Sequence, residues 1–420
     1  MTSFGVELNG LTMLTGMAWI CVFGWLGFAA IVLYGLAGRK PLLPAQNPHL
    51  ITDAPLISVL VPARNEARRI LAQSICSVLA QDYQHLEVIA VNDRSTDATE
   101  SILRSIAETD ERLHVINGVE PPAGWLGKPY ALQQALGASR GHWVLTIDAD
   151  IVLEKEAVRI AIGRALAGGY DVLTLVPYFE TKSFWERVFT SAWVLVLLGA
   201  FPFAILNNPK MKQALAFGGF SLIRRQSLAR LGDFAAVRAD IVEDVRLAEL
   251  LKSSGARYRI EHAPNLIRTR MQSSLREVWD FLSRSMFAGV RYSLVLAALY
   301  IFTGYTFAIA PVFIAAFGVL MLAAGESSEW LSLLVVPSLA VWVIQVSALM
   351  FVCKNCDIPI AYALTTPLGL SLFYTALLIS VINILRGKGV AWKERRVYEH
   401  TGVGLPVHDG RSANPSIVDE

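Results

Sequence analysis

A charge-free apolar run, Leu11 to Leu36, precedes residues of soluble composition from about 41 to 290, and three more apolar stretches follow at about 293–324, 330–352 and 360–385. A helix of roughly 20 apolar residues crosses the ~30 Å hydrocarbon layer. This alternation therefore limits the fold to a soluble domain held between membrane helices. Composition agrees: 54% of the residues are hydrophobic and 17% charged, with mean hydropathy +0.46, against roughly 25% charged in soluble domains. No Lys or Arg precedes Arg39, so the first run lacks the basic leader of a signal peptide. Arg39 and Lys40, directly after it, predict an outer amino terminus and a cytoplasmic domain. The expected division is an N-terminal transmembrane helix (1–40), a cytoplasmic domain (41–290), C-terminal transmembrane helices (291–386) and a basic tail (387–420).

Three single crossings after the domain would leave the tail outside. Yet Arg386-Gly-Lys388 through Arg395-Arg396 is strongly basic and should stay inside. The 293–324 stretch is over-long for one span and contains Pro311. It is expected to turn back there as two short or re-entrant segments, giving an even count. A net charge of +2 excludes general nucleic-acid binding. Cys21 falls in an apolar span and Cys76 in a helical pattern, so no disulfide framework is expected. Cys353-Lys-Asn-Cys356 has metal-site spacing but no second pair, and reads as ordinary thiols.

Within the soluble part, strand and helix patterns alternate. Ile57–Val61, Leu86–Val91, His114–Ile116 and Trp143–Ile147 read as strands; Arg69–Leu79, about 97–108 and Tyr130–Ser139 read as helices. This order predicts an α/β, Rossmann-like, doubly wound parallel sheet. Ligands of such sheets bind beyond the carboxyl ends of the strands, and several polar segments fall there. Pro62 is expected to stop the first strand, with Ala63, Arg64, Asn65 and Glu66 at the crevice, where Asn65 or Glu66 could equally cap the next helix. After the second strand, Asp93 could accept from a pyrimidine N–H, and Asp97 looks like a helix cap. Asp148-Ala149-Asp150 ends the Trp143–Ile147 run; if extended, its two carboxylates share a face and suit a divalent cation against a diphosphate. There is no P-loop and no Gly-x-Gly-x-x-Gly, so a dinucleotide oxidoreductase lacks its phosphate cradle.

Pro62–Glu66, Asp93 and Asp148-x-Asp150, in this order and spacing, resemble the signature of family 2 glycosyltransferases with the GT-A fold. Pro121–Lys128, Ser183–Arg187, Asn207-Asn-Pro209 and Gly218-Gly219 are similar to membrane glycosyltransferases associated with hopanoid synthesis. The Gly387–Lys393 tail is similar to those and to carotenoid glucosyltransferases; ceramide glucosyltransferases are more distant. The resemblance implies that Pro62–Glu66 and Asp93 bind the nucleoside, that Asp150 with Asp148 holds Mg²⁺ or Mn²⁺, and that Lys128 meets the diphosphate. Gly218 and Gly219 would line the acceptor cleft, and Glu243-Asp244 matches the acidic pair with Asp244 as general base.

One departure concerns the Gln-x-x-Arg-Trp motif of many relatives. Its counterpart here, Trp279–Met286, keeps Arg284 but lacks the Gln and the following Trp. Arg284 is expected to reach the diphosphate, and Trp392 and Arg395 could supply the missing pair or anchor the tail at the interface. Phe184–Leu206 reads as a helix in the interface rather than a span.

These residues together imply an inverting enzyme of the inner membrane, multi-pass with a cytoplasmic catalytic domain. It would carry a sugar from a nucleotide-diphosphate donor, a UDP-linked hexose, to a lipid hydroxyl such as that of a hopanoid or carotenoid. The alternatives are an undecaprenyl-phosphate glycosyltransferase, a polysaccharide synthase, or a non-enzymatic transporter or scaffold with a nucleotide-sensing domain. Absence of charge inside the C-terminal apolar stretches disfavours ion-coupled transport.

Overall fold

A computed structural model describes residues 2–37, 42, 54–326, 329–387, 390–392 and 395–397. The strands are β1 (Ile57–Ala63), β2 (Leu86–Asn92), β3 (Leu113–Asn117), β4 (Trp143–Thr146), β5 (Ile151–Leu153), β6 (Val172–Val176), β7 (Tyr178–Phe179), β8 (Ser221–Arg224), β9 (Tyr258–His262), β10 (Ile267–Thr269), β11 (Val390–Trp392) and β12 (Arg395–Val397). The helices up to residue 289 are α1 (Thr2–Ala37), α2 (Leu71–Leu79), α3 (Thr99–Ala107), α4 (Gly127–Ala138), α5 (Ala157–Gly168), α6 (Phe184–Ala200), α7 (Phe203–Leu206), α8 (Arg225–Leu231), α9 (Glu243–Ser253) and α10 (Leu275–Gly289). After them come α11 (Leu294–Thr303), α12 (Ala310–Ala323), α13 (Glu329–Asn355) and α14 (Thr366–Leu385).

Seven strands form the main sheet in the order β3-β2-β1-β4-β8-β6-β9. The β3-β2-β1-β4 half is parallel, as the alternation predicts, with β1 registered on β2 from Ile57↔Leu86 to Ala63↔Asn92. The other half departs from the expected all-parallel sheet, because β8 runs antiparallel between β4 and β6. The chain reaches β8 only after the excursion through α6 and α7, and it enters from the opposite end. Both faces are covered. Leu60, Ile89 and Val144 belong to a core that reaches the membrane helices, while Val59, Val61 and Val88 belong to one with α2 and α5. Alternate residues of one strand thus serve opposite faces, which explains why the strands read as unbroken apolar runs. In α2 the buried residues Leu71, Ser74, Ile75 and Val78 recur with helical spacing.

Pro62 does not stop its strand: it pairs with Val91 inside β1. The β1–β4 ladder has already ended at Leu60↔Thr146, so the missing N–H costs no bond on that side. The 293–324 stretch does not turn back at Pro311 either. It stays helical from Leu294 to Ala323 through a π-helical segment, Gly304–Ile309, and Pro311 lies in the first turn of α12, where its absent donor is harmless. The helices long and apolar enough to cross a membrane are Met13–Leu36, Leu294–Ala323, Leu331–Asn355 and Ile360–Leu385.

One hydrophobic core joins sheet and membrane helices: Val32 of α1, Leu349 and Val352 of α13 and Phe373 of α14 share it with Leu60 and Ile223. The expected interfacial segment is broken at Phe201-Pro202 into α6 and α7. α6 is buried among α1, α10, α13 and α14, and Phe189 stacks on Phe373 with centroids 5.8 Å apart. α14 runs along α10, and Leu370 near its start is buried with Cys21, Trp25 and Val341 of α1 and α13. Near its start, Gly369 touches Ala192 and the Val188 carbonyl of α6; near its end, Leu377, Val381 and Ile384 pack with Phe287 and Ile241. All four cysteines are free thiols.

Candidate active site

The loops after β1 and β2 are laced together. Asn65, at φ 50°, donates its backbone N–H to Ser95 Oγ at 3.0 Å, and its Oδ1 accepts the Thr96 N–H at 2.9 Å. The Glu66 N–H donates to Thr99 Oγ1 at 2.8 Å, and Arg64 donates to the Asp93 carbonyl at 3.2 Å. Asp97 accepts the Ala67 and Thr99 N–H groups, so it serves both loops as well as the start of α3. These bonds account for much of the polar run Ala63–Glu66. Asp93 is buried and accepts two bonds from Arg94, at 2.9 and 2.7 Å.

The acidic triplet is not extended. Asp148 to Asp150 turns the chain from β4 into β5, and each carboxylate meets a different cation. Lys128 lies in the first turn of α4, which starts at Gly127, three residues before the expected start at Tyr130. Its Nζ stands 2.7 Å from Asp148 Oδ1 and 2.7 Å from Glu243 Oε1. Burial alone would lower the lysine pKa, but Asp148, Glu243 and Asp244 outweigh it and hold the ammonium well above its ordinary value. Gly218 packs over this pair: a Cβ there would overlap Asp148 Oδ2 and come within 2.9 Å of Lys128 Nζ. A Cβ on Gly219 would meet Ile151 instead. The sequence reading expects both glycines at the acceptor cleft; Gly218 lies against the ion pair.

Glu243 and Asp244 open α9, where the helix dipole favours acids. Asp244, Glu243, Lys128, Asp148, Pro62 and Gly218 line one pocket, floored by Leu132, Ile223, Leu247 and Leu251. This apolar floor raises the Asp244 carboxyl to about 7, first by burial and then by Glu243, against opposing pulls from Lys128 and the Val245 N–H. A carboxylate poised near neutrality suits a general base.

The second carboxylate, Asp150, meets a residue the sequence did not single out. Arg69 Nη1 lies 3.1 Å from Asp150 Oδ2, and its Nη2 lies 3.1 Å from Glu277 Oε2 on α10. Only the position of Arg69, in the turn after Pro62–Glu66 and across the parallel sheet from the triplet, could have signalled it. Arg284 lies further along α10 and is half-buried; desolvation lowers its pKa, while Glu243 and Asp280 oppose that shift. Trp392 and Arg395 pair across the β11–β12 hairpin, whose backbone lies beside α10 and α14. Their side chains fall outside the described residues. Ser183–Arg187 and Asn207 have structural partners: Glu186 pairs with Arg270 at 2.7 Å, and the Asn207 amide caps Ile260 of β9 through both its groups.

The glycosyl transferase family 2 profile matches residues 58–232. Over 230 residues the chain is 28% identical to the 4,4'-diaponeurosporenoate glycosyltransferase of Staphylococcus aureus strain USA300, covering 53% of this chain and 59% of that protein. The chain thus spans less than two thirds of that relative. The mannosyltransferase PcManGT of Pyrobaculum calidifontis, solved with GDP-Man and Mn²⁺, superposes with TM-score 0.51 at 19% identity, covering 88% of this chain and 98% of that one. Its likeness concerns the fold, a mixed Rossmann-like sheet with β8 reversed. Residues 58–232 thus match the glycosyl transferase family 2 profile and carry a GT-A-like fold.

Proposed function

We propose that the protein is an inverting glycosyltransferase that moves a hexose from a nucleotide-diphosphate donor, UDP-linked, to a hydroxyl of a membrane lipid such as a hopanoid or carotenoid. One observation carries the reading. Ile241 lies two residues before the Glu243-Asp244 pair, and it packs against Phe287, Ala297, Leu377, Val381 and Ile384 of α10, α11 and α14. The base at Asp244 therefore belongs to a donor-type cleft and stands beside apolar helices of membrane character. An acceptor hydroxyl carried by a lipid meets it there without leaving the bilayer surface.

In the reaction Asp244 takes the proton of the acceptor hydroxyl as its oxygen bonds to the anomeric carbon. The bond from that carbon to the diphosphate breaks on the opposite face, and the nucleoside diphosphate leaves. Lys128 and Arg284 face the leaving phosphates, where fixed cations offset developing charge. Pro62–Glu66 and Asp93 hold the nucleoside end.

Asp150 with Asp148 suits Mg²⁺ or Mn²⁺. Both carboxylates are hard oxygen donors, and Arg69 and Lys128 already hold positive charge against them. Among the described residues no group of three acidic or metal-binding side chains could cage an ion, so diphosphate oxygens and water would complete its shell. When bound, the ion would neutralise the diphosphate.

The catalytic domain is read as cytoplasmic on an inner membrane, with α1, α11–α12 and α13 crossing. α14 is long and apolar, and near its end Leu377, Val381 and Ile384 pack with Phe287 and Ile241 of the catalytic domain. The basic Arg386–Arg396 tail is read as lying inside with the domain, as the positive-inside bias favours.

The test is lipid mass spectrometry on a deletion strain complemented with wild type or Asp244→Asn. Wild type should restore a hexosylated lipid and the variant should not. A lipid profile unchanged by deletion would remove the lipid acceptor.

A further inference from the structure

The contact between Arg69 and Asp150 joins three parts of the cleft. Arg69 sits in the turn between β1 and α2, Asp150 in the turn between β4 and β5, and Glu277 on the first turn of α10. Arg69 Nε also comes within 3.8 Å of Glu66 Oε2. The guanidinium is about one third exposed, so these pairs add little stability, and their worth lies elsewhere. Arg284, further along α10, is near enough to feel the charge of Arg69.

We propose that Arg69 is a positioning residue that holds the cation place on Asp150 until the divalent ion arrives with the donor. This inference rests on the proposed role of Asp150. A lone ion must displace Arg69 from Asp150 while sharing the turn with a retained positive charge, and both effects oppose binding. An ion bound to a nucleotide diphosphate brings negative charge with it. The displaced guanidinium then gains phosphate oxygens as its new partners. The exchange favours entry of ion and donor together. Glu277 keeps Arg69 against α10 in either state, so the helix that carries Arg284 follows whether Asp150 is taken.

The test is Mn²⁺ binding to the purified full chain in detergent, followed by the spin-resonance signal of free Mn²⁺, for wild type, Arg69→Gln and Asp150→Asn. Each is titrated with Mn²⁺ alone and with Mn²⁺ plus UDP. Arg69→Gln should bind Mn²⁺ alone about tenfold more tightly than wild type, and UDP should improve its Mn²⁺ affinity less than it improves wild type. Asp150→Asn should lose the site with or without UDP. If Arg69→Gln binds Mn²⁺ alone no better than wild type while Asp150→Asn loses it, the role of Arg69 is overturned and that of Asp150 stands. If Asp150→Asn binds as wild type does, the metal reading fails, and the inference with it. Arg69→Lys, which keeps the charge, should stay near wild type and guards against a folding artefact.

Discussion

Gly218 lies so close against Asp148 that an added Cβ would overlap the carboxylate and crowd Lys128 Nζ at 2.9 Å. A side chain there would push the Asp148 carboxylate and the Lys128 ammonium from their present positions. Gly218→Ala should reduce kcat/KM by about 10²-fold or more, because displacing a catalytic group by an ångström has effects of that size. Gly219→Ala meets only the far end of the Ile151 side chain, at 2.8 Å. It should cost about 1 kcal/mol of stability or more while leaving turnover nearly unchanged. Steady-state kinetics with thermal melts separate the two, and equal losses of activity would refute the distinction.

Lys128 bridges Asp148 and Glu243, the latter with only 8% of its side chain exposed. Lys128→Gln leaves a buried acid without that cation, at a cost of about 1–3 kcal/mol. It also removes positive charge from the proposed diphosphate position. Donor KM should rise at least about tenfold, measured at saturating acceptor. An unchanged donor KM would make Lys128 a structural residue alone.

The Asp244 carboxyl, raised to about 7, must be ionised to act as a base. Activity should then climb with pH through about 7, since below it the group carries its proton. Glu243 is one of the groups that raise it. Glu243→Gln should move the ascending limb of kcat/KM to lower pH. A limb that stays in place in that variant would assign it to another group.

Topology gives a separate check. In a background without native cysteines, Glu326→Cys between α12 and α13 should react with an impermeant thiol reagent in intact cells. Gly387→Cys, just past α14, should react only after lysis. Labelling of Gly387→Cys in intact cells would mean that α14 crosses, and would carry Trp392 and Arg395 away from the cleft.

The parallel half of the sheet was legible because β1, β2 and β4 are buried on both faces and so appear as apolar runs. The reversal of β8 was not, since four residues, Ser221–Arg224, carry no mark of strand direction. Polar strand ends marked Asp93, Asp148 and Asp150 as candidates. Their partners stayed hidden: Arg69 is one arginine among several in Arg64–Arg69, and only the fold brings it to Asp150 and Glu277. Asn207 and Glu186 belong to motifs that look functional in sequence, and their side chains are occupied in holding β9 and Arg270. The course of α14 could not be read from hydropathy, because a helix lying along α10 and one crossing lipid are equally apolar.

The central claim is that Asp244 removes the acceptor proton. Asp244→Asn keeps the size of the side chain and removes its basicity, so it isolates that role. Turnover of purified variant and wild type, with donor binding measured by calorimetry on the same samples, tests it most directly. The account predicts turnover lower by about 10²-fold or more with donor affinity retained. Normal turnover at saturating donor, with affinity lost instead, would make Asp244 a binding residue and contradict the account.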